Sequence, residues 1–348
     1  MDATSDNPTT NNLGPGLTEQ NVAAAVSKSG YPLQTNVSRI LQPKFTLQEE
    51  WSYFDKDSKE IRTVDILASQ LLYDPTTQEQ PRVRPTLSLI IECKQSTLPY
   101  IFFLSPNTKW IPNFPLLAGL AKHEITLTTD DTPSIFTDPV LHVLGLDFHP
   151  FIADRSEHCM SFSKCVRKGS ELELSGSEPF QALVLPLLKA MRHFREVESP
   201  VDTAFYFDCH AVVGVGVLDA PMIGVRVSET RNDLILLPWV RVVRHSTDET
   251  ESYFDSTRLF AIDIVHKDFF QEYLDNNALA FAQDFSRLVI KHQHILATGE
   301  GFVPGLGKSH FRYEDRLQPR RIRAKVHRVT MIGENIFRFV TGRRPKGE

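Results

Sequence analysis

The sequence is poor in the features that mark secreted, membrane-spanning and phosphate-loop proteins. Only four of its 348 residues are cysteines, and no segment at the N-terminus resembles a secretion signal. A reduced, intracellular (cytoplasmic) setting is therefore expected. No apolar run approaches the roughly 20 residues that span a bilayer. No Walker loop of the form G-x-x-x-x-G-K-[ST] occurs either. These absences predict a non-membrane protein without a nucleotide-driven motor.

Charge of both signs is plentiful, but it is unevenly distributed. The formal net charge is −5, and residues 301–348 hold 12 Lys or Arg against four Asp or Glu. The tail is therefore about +8, and residues 1–300 carry about −13. A basic tail on an acidic body is typical of contact with a polyanion, and a solvated tail that binds nothing is an equal alternative. The basic residues that would contact nucleic-acid phosphates are Arg316, Arg320, Arg321, Arg323, Lys325 and Arg328.

Composition and local pattern divide the chain into three parts. Residues 1–16 are polar and rich in Asn, Thr, Gly and Pro, which predicts a disordered lead. Residues 17–300 have the composition of one large domain, interrupted by a proline-rich insertion at 95–178 in which we expect irregular structure and short helices. Residues 301–348 form the basic tail.

The hydrophobic pattern predicts an α/β fold. The expected order is a helix at 18–29 capped by Thr18, strands near 45–54, 61–72 and 87–94, a helix at 179–196 and a strand at 201–209. Pro186 should kink or split the second helix. Further strands are expected in "LILLPWVRVVRH" and "RLFAIDIVH", followed by one or two helices. The near-continuous apolar strands favour a sheet that is covered on both faces.

The third expected strand, "LSLIIECK", ends in a carboxylate and an ammonium. Because strand side chains alternate between faces, Glu92 and Lys94 share one face with Ile90, while Cys93 points to the other. Asp65 lies in the preceding strand among apolar neighbours, and pairing of the two strands would place it beside Glu92. Two converging carboxylates repel each other, and a divalent cation removes that penalty. The pattern predicts a Mg²⁺ (or Mn²⁺) site with Lys94 beside it, suited to phosphodiester hydrolysis.

The motif of Asp65 followed by Glu92-Cys93-Lys94 resembles that of the PD-(D/E)XK superfamily of restriction-endonuclease-like nucleases. The resemblance covers about 120 residues and implies a restriction-endonuclease-like core of α-β-β-β-α-β order, a mixed central sheet flanked by helices. It also implies a metal-dependent endonuclease acting on DNA, in defence against foreign DNA or in DNA processing. Val64 stands where the family's motif often has proline.

The resemblance also implies roles for individual residues. Asp65, Glu92 and the backbone carbonyl of Cys93 would hold the metal, and Lys94 would be the catalytic lysine. Glu19, in the first expected helix, would add an acid, and Gln95 would contact the substrate. A homodimer is implied too, since many members cut both strands as dimers.

Other interpretations of the same residues stay open. Asp65 and Glu92 could each form an ordinary ion pair, with Arg62 or Lys94 as partner. The fold could also serve as a catalytically inactive module that binds nucleic acid or protein. Glu49 and Glu50, in the first strand, are more simply interpreted as surface acids. A zinc site near Cys159 and Cys165 is a minor alternative, because the spacing matches no usual pattern.

Overall fold

The computed structural model describes residues 4–76, 79–105, 111, 114–131, 135–153, 158–245, 259–305 and 315–320. Within them the protein is a mixed α/β structure built on a large mixed central sheet with helices on its faces. The basic residues Arg321, Arg323, Lys325 and Arg328 lie outside the described residues, so the structure does not bear on their predicted role. No helix in the described part is long and apolar enough to cross a membrane.

Two helices precede the first strand, where the sequence pattern predicted one. The first begins after Thr18, whose hydroxyl accepts the N–H of Asn21 as expected of a cap, but none of its residues is buried. The second buries Leu33, Val37 and Leu41, spaced four residues apart, and it packs on the sheet. The first elements are α1 (Glu19–Lys28), α2 (Tyr31–Leu41), β1 (Thr46–Asp55), β2 (Glu60–Leu71) and β3 (Val83–Gln95).

The segment expected to hold irregular structure and short helices does contain short helices, but its described residues also form six strands that the sequence pattern did not predict. Pro99 and Pro115 each precede a strand and Pro139 ends one, so none of these three removes a ladder hydrogen bond. Four strands of the segment belong to the main sheet, and two of them bring Phe102 and Phe162 together in the core, stacked at 5.5 Å between ring centroids. The elements are β4 (Tyr100–Ser105), β5 (Leu116–Ala118), β6 (Glu124–Thr128), β7 (Phe136–Pro139), α3 (Val140–Val143), α4 (Pro150–Ala153), β8 (His158–Lys168) and β9 (Glu171–Ser175).

The helix predicted at 179–196 forms, and Pro186 alters it as expected. A short turn, α5 (Ser177–Pro179), leads into π-helix at Phe180–Val184 and then into α6 (Leu185–Val197), with Pro186 in the first turn of α6. Proline has no N–H and is tolerated there. The strand that follows, β10 (Phe207–Asp219), begins six residues later than predicted and continues through "AVVGVGVLD".

Among the remaining elements, the strands expected in "LILLPWVRVVRH" and "RLFAIDIVH" and the helices after them are present, although Pro238 separates the first of these strands into two. The strands at Met222–Val227, Glu300–Phe302 and Gln318–Pro319 were not predicted. The remaining elements are β11 (Met222–Val227), β12 (Asn232–Leu236), β13 (Trp239–His245), β14 (Leu259–His266), α7 (Phe270–Tyr273), α8 (Leu279–Lys291), α9 (Gln293–Thr298), β15 (Glu300–Phe302) and β16 (Gln318–Pro319). A π-helical turn at Leu274–Ala278 joins α7 to α8.

The main sheet has the strand order β1-β2-β3-β10-β14-β13-β8-β4-β11-β12. Strands β1, β2 and β3 form an antiparallel meander, and β10 pairs with β3 in parallel. The crossover between β3 and β10 contains α6, as parallel pairing requires a long connection. A smaller sheet of order β16-β15-β6-β7 includes part of the basic tail.

Two apolar clusters cover the two faces of the main sheet. Helices α2 and α8 pack with Ile66, Leu89 and Ile91 on one face. Helix α6 packs with Leu67, Ile90 and Val212 on the other. This arrangement confirms the expectation that successive residues of β3 point into opposite layers.

Two glycines let α6 and the π-helical turn approach β10 closely. A Cβ at Gly214 would lie 2.6 Å from Sδ of Met191, and one at Gly216 would lie 2.9 Å from Cδ1 of Leu183. Gly216 is the β10 residue in register with Glu92 on β3. The side chain of Leu183 therefore packs directly beside the acidic residue, which contributes to burying it.

Candidate functional site

Asp65 and Glu92 stand where two neighbouring strands separate. Strands β2 and β3 pair from Leu71↔Thr86 to Ile66↔Ile91, and the next residue on each strand is one of the two acids. Beyond this point β2 continues along β1, and β3 continues along β10. The two strands thus separate from each other at Asp65 and Glu92, and this point of separation is called the fork below.

The two acids lie next to each other at this point. Glu92 follows Ile90 by two residues and shares its face, which is the face covered by α6. The side chains of β2 do not alternate regularly here, since Val64 and Leu67, three residues apart, both belong to the apolar cluster beneath α6. Asp65 Oδ2 accepts the backbone N–H of Cys93 at 2.6 Å, which bridges the fork. The structure therefore brings together two acids that are 27 residues apart in sequence.

Lys94 is the cationic partner of Glu92. Its Nζ donates to Glu92 Oε1 at 2.5 Å, with 32% of the lysine side chain exposed and 8% of the glutamate side chain. Burial acts to lower the pKa of Lys94, but the charges of Glu92 and Asp65 prevail and raise it. The ammonium therefore stays protonated beside two carboxylates.

Glu92 is buried with only half of its carboxylate satisfied. The residue is 6% exposed, and Oε2 has no hydrogen-bond partner. Burial raises its pKa to about 7, and the charge of Asp65 adds to that rise, while Lys94 opposes it. Burial and the neighbouring charge of Glu50 also raise the pKa of Asp65. The backbone N–H of Cys93 and the charge of Lys94 act to lower it, but burial prevails. Two carboxylates held in this state favour the approach of a cation.

The structure adds two residues that the sequence analysis did not assign to the site. Gln34 on α2 donates to Glu50 Oε1 at 3.0 Å and to the backbone carbonyl of Asp65 at 3.1 Å. Glu50 has φ +51° in the middle of β1, a conformation that residues other than glycine seldom adopt. Glu50 is exposed, as expected of a surface acid, and it is also linked through Gln34 to the backbone of Asp65.

A tyrosine hydroxyl lies unsatisfied in the same layer. Tyr53 is 2% exposed and its hydroxyl has no hydrogen-bond partner. Burial raises its pKa to about 12, assisted by Asp55 and Glu92 and opposed by Arg62. It is thus a neutral hydroxyl that can donate or accept near the acid pair.

Other residues assigned to the site from sequence are not drawn into it. Glu19 is exposed in the first turn of α1, and it is α2 that contributes a side chain, Gln34. Gln95 is exposed at the end of β3. Arg316 donates to the carbonyls of Pro304 and Gly305, and Arg320 pairs with Glu300 at 2.5 Å. Both arginines therefore contact residues of the protein itself, next to β15 and β16, and their contact with nucleic-acid phosphates stays a prediction.

The donor set at the fork fits a hard divalent cation. It comprises two carboxylates and the backbone carbonyl of Cys93. The N–H and the C=O of one strand residue point to the same side of the strand. Because the Cys93 N–H points towards Asp65, the Cys93 carbonyl points to that side as well. Oxygen ligands supplemented by water suit Mg²⁺. Within the described ranges no group of three or more His, Cys, Asp and Glu side chains converges on one point. The protein would thus supply few side-chain ligands, and water would complete the shell.

The cysteines give no sign of a zinc centre. Cys93, Cys159, Cys165 and Cys209 are all free and buried. Burial raises the pKa of each thiol. Buried, protonated thiols act as packing groups and are not ready metal ligands.

The chain matches no protein-family model, no curated protein and no solved structure. A function can therefore be inferred only from the geometry and chemistry of its own residues. The fork at Asp65 and Glu92 is the place where buried charge, an unsatisfied carboxylate oxygen and a cationic neighbour coincide.

Replacing Glu92 with glutamine is expected to stabilise the protein at about pH 8. The folded-state pKa of Glu92 is about 7 against an ordinary value of 4.5. The folded protein therefore gains stability from protonated Glu92. This contribution is complete below about pH 4.5, and it is lost as the pH rises through about 7 and the buried carboxyl ionises. Glutamine resembles the protonated form throughout, so Glu92→Gln should gain about 1–3 kcal/mol at pH 8 and little near pH 4.5.

Urea unfolding of wild type and Glu92→Gln at both pH values, with a chelator present, measures this difference. Glu173→Gln is the matched control, because Glu173 lies half exposed on β9 and pairs only with the exposed Lys168 at 3.0 Å among the described residues. An equal loss of stability in Glu92→Gln at both pH values would mean that the ion pair with Lys94 outweighs the cost of burying the charge.

Proposed function

We propose that this protein is a divalent-metal-dependent nuclease that hydrolyses phosphodiester bonds in DNA, built on a restriction-endonuclease-like core. One observation carries the proposal. Asp65 and Glu92 lie next to each other at the fork between β2 and β3, where Lys94 contacts Glu92 at 2.5 Å and a buried Glu92 oxygen has no hydrogen-bond partner. A bound cation would satisfy that oxygen and relieve the repulsion between the acids.

The order of elements around the fork supports the proposal. Helix α2, strands β1, β2 and β3, helix α6 and strand β10 occur in this order along the chain, with β4 to β9 and α3 to α5 between β3 and α6, and the four strands are neighbours in the sheet. This is the α-β-β-β-α-β order implied by the resemblance, with α2 in place of α1 as the first helix. The acids lie on the second and third strands of this unit, as the motif requires.

Each residue has a defined task in this mechanism. Asp65, Glu92 and the Cys93 carbonyl would hold the metal. A bound Mg²⁺ supplies a more acidic water and neutralises charge on the phosphate. Lys94 has three donors and needs only one for Glu92 Oε1, so the others can orient the attacking water or contact a phosphate oxygen. Gln34 positions the backbone of Asp65.

Contact with the DNA backbone is assigned to the last part of the chain. Residues 321–348 carry eight Lys or Arg against two Glu, whereas the remainder of the protein is acidic. Because counterion release favours binding of basic segments to phosphates, this stretch can hold nucleic acid without reading its sequence. Arg316 and Arg320 are not needed for that role.

A catalytically inactive nuclease-fold module is the second candidate. The observation that favours it is the short Lys94–Glu92 ion pair, which stabilises both charges without a metal. The small number of converging side-chain ligands in the described part of the chain points the same way. Such a module would bind nucleic acid or protein through the same fold without hydrolysing a bond.

Metal binding at the acid pair is the first property to test. Wild-type protein should be stabilised by about 1.4 kcal/mol when Mg²⁺ or Ca²⁺ is present at about ten times its dissociation constant. Glu92→Gln should lose most of this response, and Glu173→Gln should retain it. Thermal unfolding with and without each cation measures the effect.

Cleavage of plasmid and single-stranded DNA in Mg²⁺ or Mn²⁺ then tests the activity itself. We expect metal-dependent hydrolysis that a chelator stops. Stabilisation by metal without cleavage of either substrate would favour the inactive module. The absence of both responses would refute the metal site.

A further inference from the structure

A second cleft lies far from the acid pair, at the other end of β3. It has a volume of about 670 Å³ and is bounded by the segment before β3, the two aromatic residues before β10, and the junction of α8 with α9. Nine residues separate the start of β3 from Glu92, which corresponds to about 30 Å along an extended strand. The cleft is therefore separate from the proposed metal site.

An arginine without a carboxylate partner is held rigidly at the edge of this cleft. The Arg82 guanidinium lies 4.6 Å from the centre of the Phe205 ring, and its Nε donates to the Phe205 carbonyl at 3.1 Å. The Arg82 backbone N–H donates to Gln293 Oε1 at 2.5 Å. Among the described residues Arg82 forms no ion pair, so its two terminal nitrogens are available to an anion. A planar guanidinium pre-positioned in this way suits a phosphate.

Flat aromatic surface lies next to the cation. The Phe205 and Tyr206 side chains are 60% and 49% exposed, and their rings meet edge to face at 5.1 Å. Buried Pro81 and half-buried Ile290 add apolar lining. Large aromatic residues seldom remain this exposed side by side without a partner. Their faces are suited to stacking a planar ring.

We propose that this cleft binds a nucleoside monophosphate unit, with the base stacked on Phe205 or Tyr206 and the phosphate on Arg82. An acidic peptide would use the cation but leave the aromatic faces unfilled. An apolar ligand would leave the guanidinium without a partner. Glu79 on the rim can accept a hydrogen bond from an amino group of the base. The unit can be a free nucleotide or part of a single strand, and the site does not rest on the nuclease assignment.

Calorimetric titration of the full chain with AMP, adenosine, inorganic phosphate and a ten-residue deoxyadenylate strand tests the site. AMP should bind more tightly than adenosine or phosphate. Arg82→Gln should weaken AMP binding about tenfold and leave adenosine nearly unchanged, because it removes only the phosphate contact. Tyr206→Leu should weaken AMP and adenosine alike, by about tenfold.

Two matched controls separate local from general effects. Arg231→Gln alters an exposed arginine elsewhere, and Tyr31→Leu alters an exposed tyrosine on α2. Both should bind AMP as wild type does, and so should Glu92→Gln, which tests independence from the metal site. Strand binding that is tighter than AMP binding and is weakened about tenfold by Arg82→Gln identifies a strand as the source. Strand binding that Arg82→Gln leaves unchanged, beside weakened AMP binding, identifies a free nucleotide. The proposal is overturned if AMP does not bind at about millimolar concentration, or if Arg82→Gln and Tyr206→Leu bind it unchanged.

Discussion

Lys94→Ala is expected to lower metal-dependent DNA cleavage by about 10²- to 10³-fold. Lys94 is the ammonium beside the acid pair, and one third of its side chain reaches solvent, where a phosphate could approach. Removing it leaves the two carboxylates to bind the cation but takes away the group that orients the water or stabilises charge on the phosphate. The loss should therefore appear in kcat, with the dissociation constant of Ca²⁺ changed by much less.

Lys168→Ala is the control for this experiment. Lys168 is also a strand lysine paired with a glutamate, but its side chain is 75% exposed and the pair lies on β8 and β9, away from the fork. Its removal should leave cleavage unchanged. If wild type and Lys94→Ala cut at the same rate, the wrong site has been chosen. If both are inert on every DNA tested, the inactive module becomes the better account.

The three central residues of the candidate site could be predicted from sequence because strand geometry is simple. Period-two alternation is enough to place Glu92 and Lys94 on one face and Cys93 on the other. Pairing of the strand that carries Asp65 with the strand that carries Glu92 was a hypothesis from the sequence, and β2 does pair with β3 up to the residue before each acid. The alternation of side chains along a strand therefore suffices to predict how Glu92 and Lys94 are placed relative to each other.

Gln34 and Glu50 escaped prediction for different reasons. Gln34 belongs to a helix whose sequence, "YPLQTNVSRIL", mixes proline and β-branched or polar residues that weaken the helical signal. Tertiary burial of its three apolar residues overrides that weak propensity. The conformation of Glu50 depends on a positive φ that no side-chain pattern indicates. Both residues are defined by contacts between elements and not by local sequence.

The segment at 95–178 shows how proline can mislead. Its prolines predict irregular structure, yet β4 and β8 place Phe102 and Phe162 in the core. Short strands joined by proline-containing connections give little periodic signal, and their pairing partners lie far away in sequence, as for β4 with β11. Long-range pairing of this kind cannot be derived from local propensity.

The largest effect on stability is expected at a buried ion pair in the centre of the main sheet. Asp263 on β14 is fully buried and lies opposite Arg241 on β13, which is 2% exposed. Arg241 donates to both Asp263 oxygens at 2.8 and 2.9 Å, and the Tyr273 hydroxyl donates to one of them at 2.7 Å. Arg241 also donates to the Phe151 carbonyl and lies 3.5 Å from the centre of the Phe114 ring.

Asp263→Ala should therefore reduce the free energy of unfolding by about 3–5 kcal/mol, because it leaves an uncompensated cation in the core. Asp233→Ala is the matched control in the same sheet. Asp233 pairs with Arg231 at 2.9 Å, but the two side chains are 47% and 75% exposed, and loss of such a pair costs about 0–1 kcal/mol. Urea unfolding measures both values.

The double variant Arg241→Met/Asp263→Leu tests whether the unpaired charge or the lost hydrogen bonds account for the stability lost in Asp263→Ala. Since it removes both charges and keeps apolar volume, it should recover most of the stability lost in Asp263→Ala. The Phe151 carbonyl and the Tyr273 hydroxyl would each lose a hydrogen bond, so recovery should stop short of wild type by about 1–3 kcal/mol. A double variant as unstable as Asp263→Ala would mean that the hydrogen bonds, and not the unpaired charge, account for the loss.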